Sequence, residues 1–483
     1  MGKPQNTSED AVVSIDVASK VDVGGSPAEE RRRTATWQDA AYHSVTGMVG
    51  AGVLGLPSTF VSLGWAGGII TLLISFWVSW YTYRQLVYMH ELPAPDADPE
   101  AAAAQPGPEP GAKGEQSRVV RFDRYQELTT HVFGKRAGRW ALMPFQAAVL
   151  VGIAITYTVV GAEDMHAVVK DYSPAGGPPA IPLWACFLIF AALQLLLSML
   201  PDFSALGVVS LLGAVMSVGY CAIATGLAGA FSAEGGAAPV VYSQPLTDHS
   251  AMAVTNRVID VFAAISTILF AYGGHNVALE IQATLPSPPT APRMMRGVNA
   301  AFIVTGALYF AVSISGFAAL GVGTGSNIIL SLTNGPLWVR NVARIFVVVH
   351  VLAAYQVYTH PVFDWIESAA GKLPAVGRAF SYGSWASRLV LRTLYVAIIT
   401  VVALLIPFFT DLMAFIGAVA ITPTTFLLPP LLWLLVKRPR RWGAEWALNW
   451  VLVVATGVIG VLGAISGLWL IVSHASRYHL FAA

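Results

Sequence analysis

Charge is what this chain has least of. Asp, Glu, Lys and Arg make up 11% of its 483 residues, against roughly a quarter in soluble proteins, which excludes an ordinary water-facing surface. The net charge is +1 and no basic cluster is interleaved with aromatics, so a nucleic-acid partner is not indicated. Cysteine is almost absent. Cys186 and Cys221 both fall inside apolar runs and read as small core residues rather than as a disulfide or metal pair. The polar first 36 residues have no apolar h-region, so a cleaved signal peptide is not expected and the first span is expected to direct insertion. No catalytic constellation stands out, so neither an enzyme nor a metal or cofactor site is expected.

Apolar residues are what is abundant, at 55% of the chain. Runs of about 20 residues, enough to cross a hydrocarbon core of roughly 30 Å, recur along nearly the whole length. Eleven spans are expected, near 37–63, 66–89, 139–168, 181–200, 204–232, 254–285, 297–320, 336–368, 387–406, 409–436 and 444–473. Residues 1–36 are expected to be a disordered cytoplasmic N-terminus. Residues 92–117, with seven alanines, six prolines and five acids, read as a flexible cytoplasmic insert that cannot bury enough apolar surface to fold. The stretch 121–134 spaces Phe122, Tyr125, Leu128 and Val132 as a short helix lying on the membrane surface. With the N-terminus inside, inner segments and span ends hold 23 of the 28 Lys and Arg, and the outer ones hold Lys170, Arg257, Arg340, Arg344 and Arg477. That asymmetry follows the positive-inside rule and places the tail 474–483 outside.

One run is interrupted at its centre. Span 1 carries Gly50-Ala51-Gly52-Val53-Leu54-Gly55-Leu56-Pro57, and clustered glycines with a proline do not continue an ordinary helix. Unwound backbone at membrane depth survives only where protein buries it or where it lines a cavity. Span 6 carries a second interruption, Phe270-Ala271-Tyr272-Gly273-Gly274-His275-Asn276. Interrupted segments in corresponding positions point to inverted repeats and a secondary transporter. The expected fold is all-α integral membrane, with eleven transmembrane helices in a LeuT-like 5+5 inverted repeat and broken helices 1 and 6. The repeats are 37–232 and 254–437, and 444–473 is the extra helix. Gly50, Gly52 and Gly55 also spell the dinucleotide string G-x-G-x-x-G, but the strand and nearby acid that this reading requires are missing, the next acid being Glu91.

The two breaks suggest a ligand. A half-helix starting near Leu54 aims N–H groups and a positive dipole end at a carboxylate, and half-helices ending near Val49 and Phe270 offer carbonyls to an ammonium group. A molecule with both charges close together is an α-amino acid. The candidate substrate-binding residues are therefore Val49, Gly50, Ala51, Gly52, Val53 and Gly55 at the first break, and Phe270, Ala271, Tyr272, Gly273 and Gly274 at the second. Gln146, Tyr355 and Gln356 are mid-span polar groups that line the pocket or else bond between helices. The glycines alternatively serve close helix packing, as Gly463-Ala464-Ile465-Ser466-Gly467 does. Ionisable groups inside the membrane are candidates for coupling: Glu280, His275, His43 and His350, each with a structural alternative as a satisfied buried group.

Tyr42 to Met48 followed by Val49 to Pro57, then Leu63-Gly64-Trp65, Met89-His90-Glu91-Leu92, Arg121-Phe122-Asp123-Arg124-Tyr125, Phe270 to Asn276, Leu279 to Thr284, Val349-His350-Val351, Tyr355 to Tyr358 and Pro361 to Asp364 resemble the plant lysine/histidine transporter branch of the amino acid/auxin permease family. The resemblance covers roughly residues 37–480. It implies an eleven-span transporter of the amino acid/polyamine/organocation fold that imports amino acids with protons. The chain departs from that pattern in its 92–117 insert, in Thr267 where an aspartate is usual, in Leu150 where a glutamate is common, and in His360 where an apolar residue precedes Pro361. Loss of the span 3 carboxylate favours neutral amino acids. The expected function is proton-coupled import of amino acids by alternating access at the plasma membrane, among lipids, with H+ as the coupling ion and no oligomeric state specified. The alternatives are a non-transporting amino-acid receptor and a transporter of an aromatic or cyclic organic acid such as an auxin-like compound.

Overall fold

The protein is described here by a computed structural model covering residues 33–93, 119–174, 177–199, 207–233, 241–242, 250–286, 288–372 and 384–475. Helix α1 (Trp37–Met48) starts at Thr36, whose side chain accepts from the Asp39 N–H while the Asp39 carboxylate reaches back to the Thr36 backbone, a reciprocal cap. After a three-residue gap the chain enters α2 (Gly52–Met89). Its 38 residues would span about 57 Å at 1.5 Å each, too long for one crossing, and Gly64, at φ 66°, divides it. That left-handed backbone favours glycine, so the sequence marks where the chain turns back at the far face.

A short ribbon follows, β1 (Glu91–Pro93) antiparallel to β2 (Val119–Arg121), with Leu92 opposite Val120. It was not expected from the sequence, and it places Leu92 and Pro93 in a strand rather than in the flexible insert. The rest of the expected insert lies outside the described residues, as do most of the expected disordered N-terminus and the tail beyond residue 475. The surface helix α3 is Tyr125–Phe133, so Phe122 precedes it rather than sharing its face. The long α4 (Lys135–Asp171), α5 (Leu183–Ser198), α6 (Gly207–Ala233) and α7 (Ala251–Ala271) come next. A 3-10 turn (His275–Val277) and α8 (Ala278–Ala283) complete the sixth run. The chain ends with α9 (Ala291–Leu320), α10 (Ile328–Ser331), α11 (Leu337–Gly371), α12 (Trp385–Leu405), α13 (Phe409–Ile416), a π-helical stretch (Gly417–Leu427), α14 (Leu428–Val436) and α15 (Ala444–Ala475).

Among the described residues nine helical segments are long and apolar enough to cross a membrane. Eleven were expected, and the difference arises in two places. The second half of span 1 is continuous with span 2 in α2, and α5 has only 16 residues. Outward faces are apolar: Val451, Val454, Val458, Val461 and Ile465 on α15 and Leu394, Ile398, Val401 and Leu405 on α12 are exposed, as on a surface solvated by lipid. Inside, α11 packs on α4 and α6, and α9 packs on α1 and α2. The two interrupted runs therefore lie at the centre of the bundle.

Candidate functional site

Both expected interruptions are present. α1 ends at Met48 and α2 starts at Gly52; α7 ends at Ala271 and regular helix resumes only after Gly274. The breaks touch backbone to backbone, for a Cβ placed on Gly52 would stand 2.9 Å from Ala271 Cα. Glycine is required there by close approach, since the breaks meet before any side chain intervenes. A Cβ on Gly50 would collide instead with the Tyr157 hydroxyl, one on Gly55 with the Met413 side chain, and those on Gly273 and Gly274 with Ile421 and Met48.

The freed carbonyls are met by tyrosines. The Tyr309 hydroxyl lies 2.6 Å from Met48 O and 2.7 Å from Ala271 O, and that of Tyr358 reaches Gly47 O and, at 3.4 Å, Gly273 O. The Tyr220 hydroxyl donates to Gly50 O at 3.1 Å, and Ser79 donates to Tyr272 O at 3.0 Å. Tyr309 and Tyr358 each have one proton to share between two carbonyls, so acceptor capacity remains at the junction for a positively charged group. At the start of α2, among the described residues, no hydrogen bond is made by the backbone N–H groups of Ala51, Gly52 or Val53. Donors and acceptors thus stand side by side, as a zwitterion requires. Sequence reading missed Tyr157, Tyr220, Tyr309 and Tyr358. Their signal was a tyrosine inside an apolar run, because a buried phenol must find a hydrogen-bond partner.

The remaining expected residues are distributed differently. Val49 and Val53 are fully buried and Phe270 nearly so. The Tyr272 ring packs against Phe76 and Tyr309, with centroids 6.3 and 5.0 Å apart. Gln356 bonds between helices, its Nε2 lying 2.7 Å from Gln194 Oε1 on α5. Tyr355 is buried on α11, its hydroxyl without a hydrogen-bond partner among the described residues. Gln146 reaches the far side of the second break, donating from Nε2 to Asn276 O at 3.1 Å.

Among the coupling candidates, His275 Nε2 lies 3.0 Å from Thr82 Oγ1 and 3.1 Å from Ser79 O, with Tyr83 stacked edge-on at 4.9 Å. Tyr83 in turn is 3.3 Å from Ser44 Oγ. His350 Nδ1 donates to Gly213 O at 2.8 Å, which fixes its tautomer because a carbonyl only accepts. His43 is buried in α1 beside Tyr42, with ring centroids 5.5 Å apart. Glu280 follows the second break by little more than a turn, and its Oε2 is buried without a partner among the described residues.

Two further features flank the breaks. At one end a cavity of about 400 Å³ is lined by Glu163, Ser326, Phe408, Thr410, Asp411 and His474, and His474 Nδ1 is 2.5 Å from Asp411 Oδ2. At the other end Asp123 joins Arg33 (2.8 Å) and Arg121 (2.7 Å), and His90 Nε2 is 3.5 Å away. Arg121 also reaches Gln282 O, Ala283 O and Leu285 O at 3.4, 3.0 and 3.5 Å, capping the carbonyl end of α8 as a cation should. Burial would raise the Asp123 carboxyl, but the neighbouring His90 ring and the Arg121 and Arg33 guanidiniums hold it down at about 2. The Tyr125 hydroxyl, fully buried, donates to Thr424 O in the π-helical stretch at 3.0 Å. Together these contacts tie the segment before α1, the ribbon, α3 and the end of α8 into one latch.

The chain is similar to lysine histidine transporter-like 1 of Arabidopsis thaliana, with 37% identity over 93% of this chain and 91% of that protein. It is similar to GABA transporter 1 of the same plant at 28% identity, over 92% of this chain and 93% of that protein. Among solved structures it is similar to a Na+-coupled sialic acid symporter at 10% identity, covering 93% of this chain and 92% of that one with a TM-score of 0.49. The model of the family described as transmembrane amino acid transporter protein matches residues 33–103 and 112–473. With a multi-pass helical body whose interrupted segments meet at its centre, the chain belongs to the transmembrane amino acid transporter protein family.

Proposed function

We propose that this protein imports amino acids with protons, neutral ones preferred, by alternating access of eleven spans arranged as two inverted five-span repeats. The observation that carries this reading is the junction of the two breaks, where Tyr309 and Tyr358 each span carbonyls of both segments. A substrate ammonium competes for those carbonyls, and its carboxylate takes the free N–H groups at the start of α2. Binding then exchanges protein–protein bonds for protein–ligand bonds at the contact between the two segments, which is how a ligand shifts a conformational equilibrium. Glu280 is the proposed proton carrier, because it is an ionisable group inside a span and its Oε2 is buried without a partner among the described residues.

With the N-terminus cytoplasmic and the plasma membrane as the site, the cavity beside Glu163 faces outward and the Asp123 latch faces inward. This supports a conformation closed on the cytoplasmic side. Reconstituted into proteoliposomes, the protein is expected to accumulate labelled alanine or leucine when the outside is acidic. Accumulation driven by sodium and indifferent to the proton gradient would overturn the coupling, and saturable binding without flux would overturn transport.

A further inference from the structure

Gln146 on α4, Asn276 in the 3-10 turn and Thr424 in the π-helical stretch form a polar joint beyond the second break. Gln146 Nε2 donates to Asn276 O at 3.1 Å, and Asn276 Nδ2 donates to Thr424 Oγ1 at 3.0 Å. The amide orientations are dictated by these partners. A backbone carbonyl only accepts, so the nitrogen of Gln146 must face it. With the Thr424 hydroxyl proton directed to Ala420 O at 2.9 Å, the Thr424 oxygen accepts from the nitrogen of Asn276. Two carboxamide oxygens, Gln146 Oε1 and Asn276 Oδ1, are thereby left buried with no donor among the described residues, on side chains 2% and 1% exposed. Inside a membrane protein, acceptors without donors are costly, and the two carboxamide oxygens on adjoining elements call for an occupant that brings N–H groups.

We propose that this joint is a second binding site, separate from the junction of the breaks, that takes a primary ammonium group. Gln146 lies eleven residues before Tyr157 on α4, about 16 Å along the helix axis at 1.5 Å per residue, and Tyr157 is the residue that faces Gly50. The site therefore lies between the central junction and the Asp123 latch, on the side from which α8 runs to Arg121. The identity of its ligand as a transported amino acid rests on the transport reading, in which the joint receives the substrate's amine on the way to the cytoplasm. Neutral oxygens suit such a stage, because they hold an ammonium weakly enough to release it.

The test uses the purified full-length protein and simple amines. Methylammonium chloride is expected to raise the thermal unfolding midpoint, while tetramethylammonium, which has the charge but no N–H, and sodium chloride are not. Gln146→Met is expected to weaken the methylammonium response about tenfold, the scale of one charge-assisted hydrogen bond, and Gln146→Glu to strengthen it. Should the methionine variant fail to fold, the glutamate variant decides alone, and an unchanged response there overturns the proposal. A response shared by all three salts, or one that persists in Gln146→Met, means that only water occupies the oxygens. In the flux assay Gln146→Met should raise half-saturation for alanine presented to the cytoplasmic face about tenfold and leave the outer face unchanged. Equal changes on both faces would place Gln146 in the central site and overturn the separation. If wild-type protein carries no amino acid at all, the transport reading fails while the methylammonium experiment still judges the joint.

Discussion

Gly52 and Ala271 stand so close that a single methyl group on the first would lie 2.9 Å from the Cα of the second. The neighbour is backbone and has no rotamer to turn away, whereas Gly50 is confronted by the far end of a side chain, the Tyr157 hydroxyl. The two glycines of one motif therefore have different roles. Gly52→Val is expected to reduce folded protein by separating the segments, at a cost of about 1–3 kcal/mol for overpacking. Gly50→Ala is expected to leave folded yield near normal and to lose substrate affinity. Size-exclusion yield and substrate-dependent melting separate the cases, and equal loss of yield for both variants would reduce Gly50 to packing.

Tyr309→Phe removes the proton shared by Ala271 O and Met48 O, the second of which keeps the Gly50 N–H at 2.9 Å. A buried acceptor that loses its donor costs about 1–3 kcal/mol, so a lower melting temperature is expected for the ligand-free protein. A saturating amino acid should recover part of that loss, because its ammonium supplies donors to the same carbonyls. A deficit unchanged by substrate would show that the carbonyls and the ligand do not meet.

Glu280→Gln keeps the shape of the side chain and removes its proton chemistry. Proton-driven accumulation is expected to fall at least tenfold, on the scale of a lost acid–base group, while exchange of internal for external alanine is retained. If accumulation survives, the coupling proton resides elsewhere, with His275 next to be replaced.

The Asp123 latch has a defined pH range. Its carboxyl sits at about 2 in the folded protein, below its ordinary 3.8, so the stabilisation it lends is complete above about pH 4 and is lost only as pH falls through about 2. Cytoplasmic pH changes between 6 and 8 are accordingly expected to leave the latch shut. Asp123→Asn should release it at any pH, raising accessibility of a cysteine placed at Ala278 to a cytoplasmic thiol reagent. Unchanged labelling would mean that Tyr125 and the ribbon hold the inner side closed without the ion pairs.

Much of the architecture was legible because its cause is local. A hydrocarbon solvent forces long apolar helices, and glycine with proline disrupts a helix wherever it stands, so both breaks could be placed from Gly50 to Pro57 and from Phe270 to Asn276. The acidic, proline-rich composition after Pro93 was equally plain, although the ribbon of Glu91–Pro93 with Val119–Arg121 was not, since strand pairing across so long an insert has no local signature.

What the tertiary structure alone decided is which groups face one another. That Tyr309 and Tyr358 share the carbonyls of two segments far apart in sequence depends on the packing of α9 and α11, not on any spacing. Packing also made Gln356 a tie to Gln194, turned Tyr272 toward Phe76, and left Gln146 and Asn276 with oxygens that no described residue satisfies. The sequence by itself determined that this is a membrane protein with two central interruptions, because those properties follow from composition and backbone chemistry. The chemistry at the interruptions depends on distances between side chains of different helices, and only the folded bundle sets those.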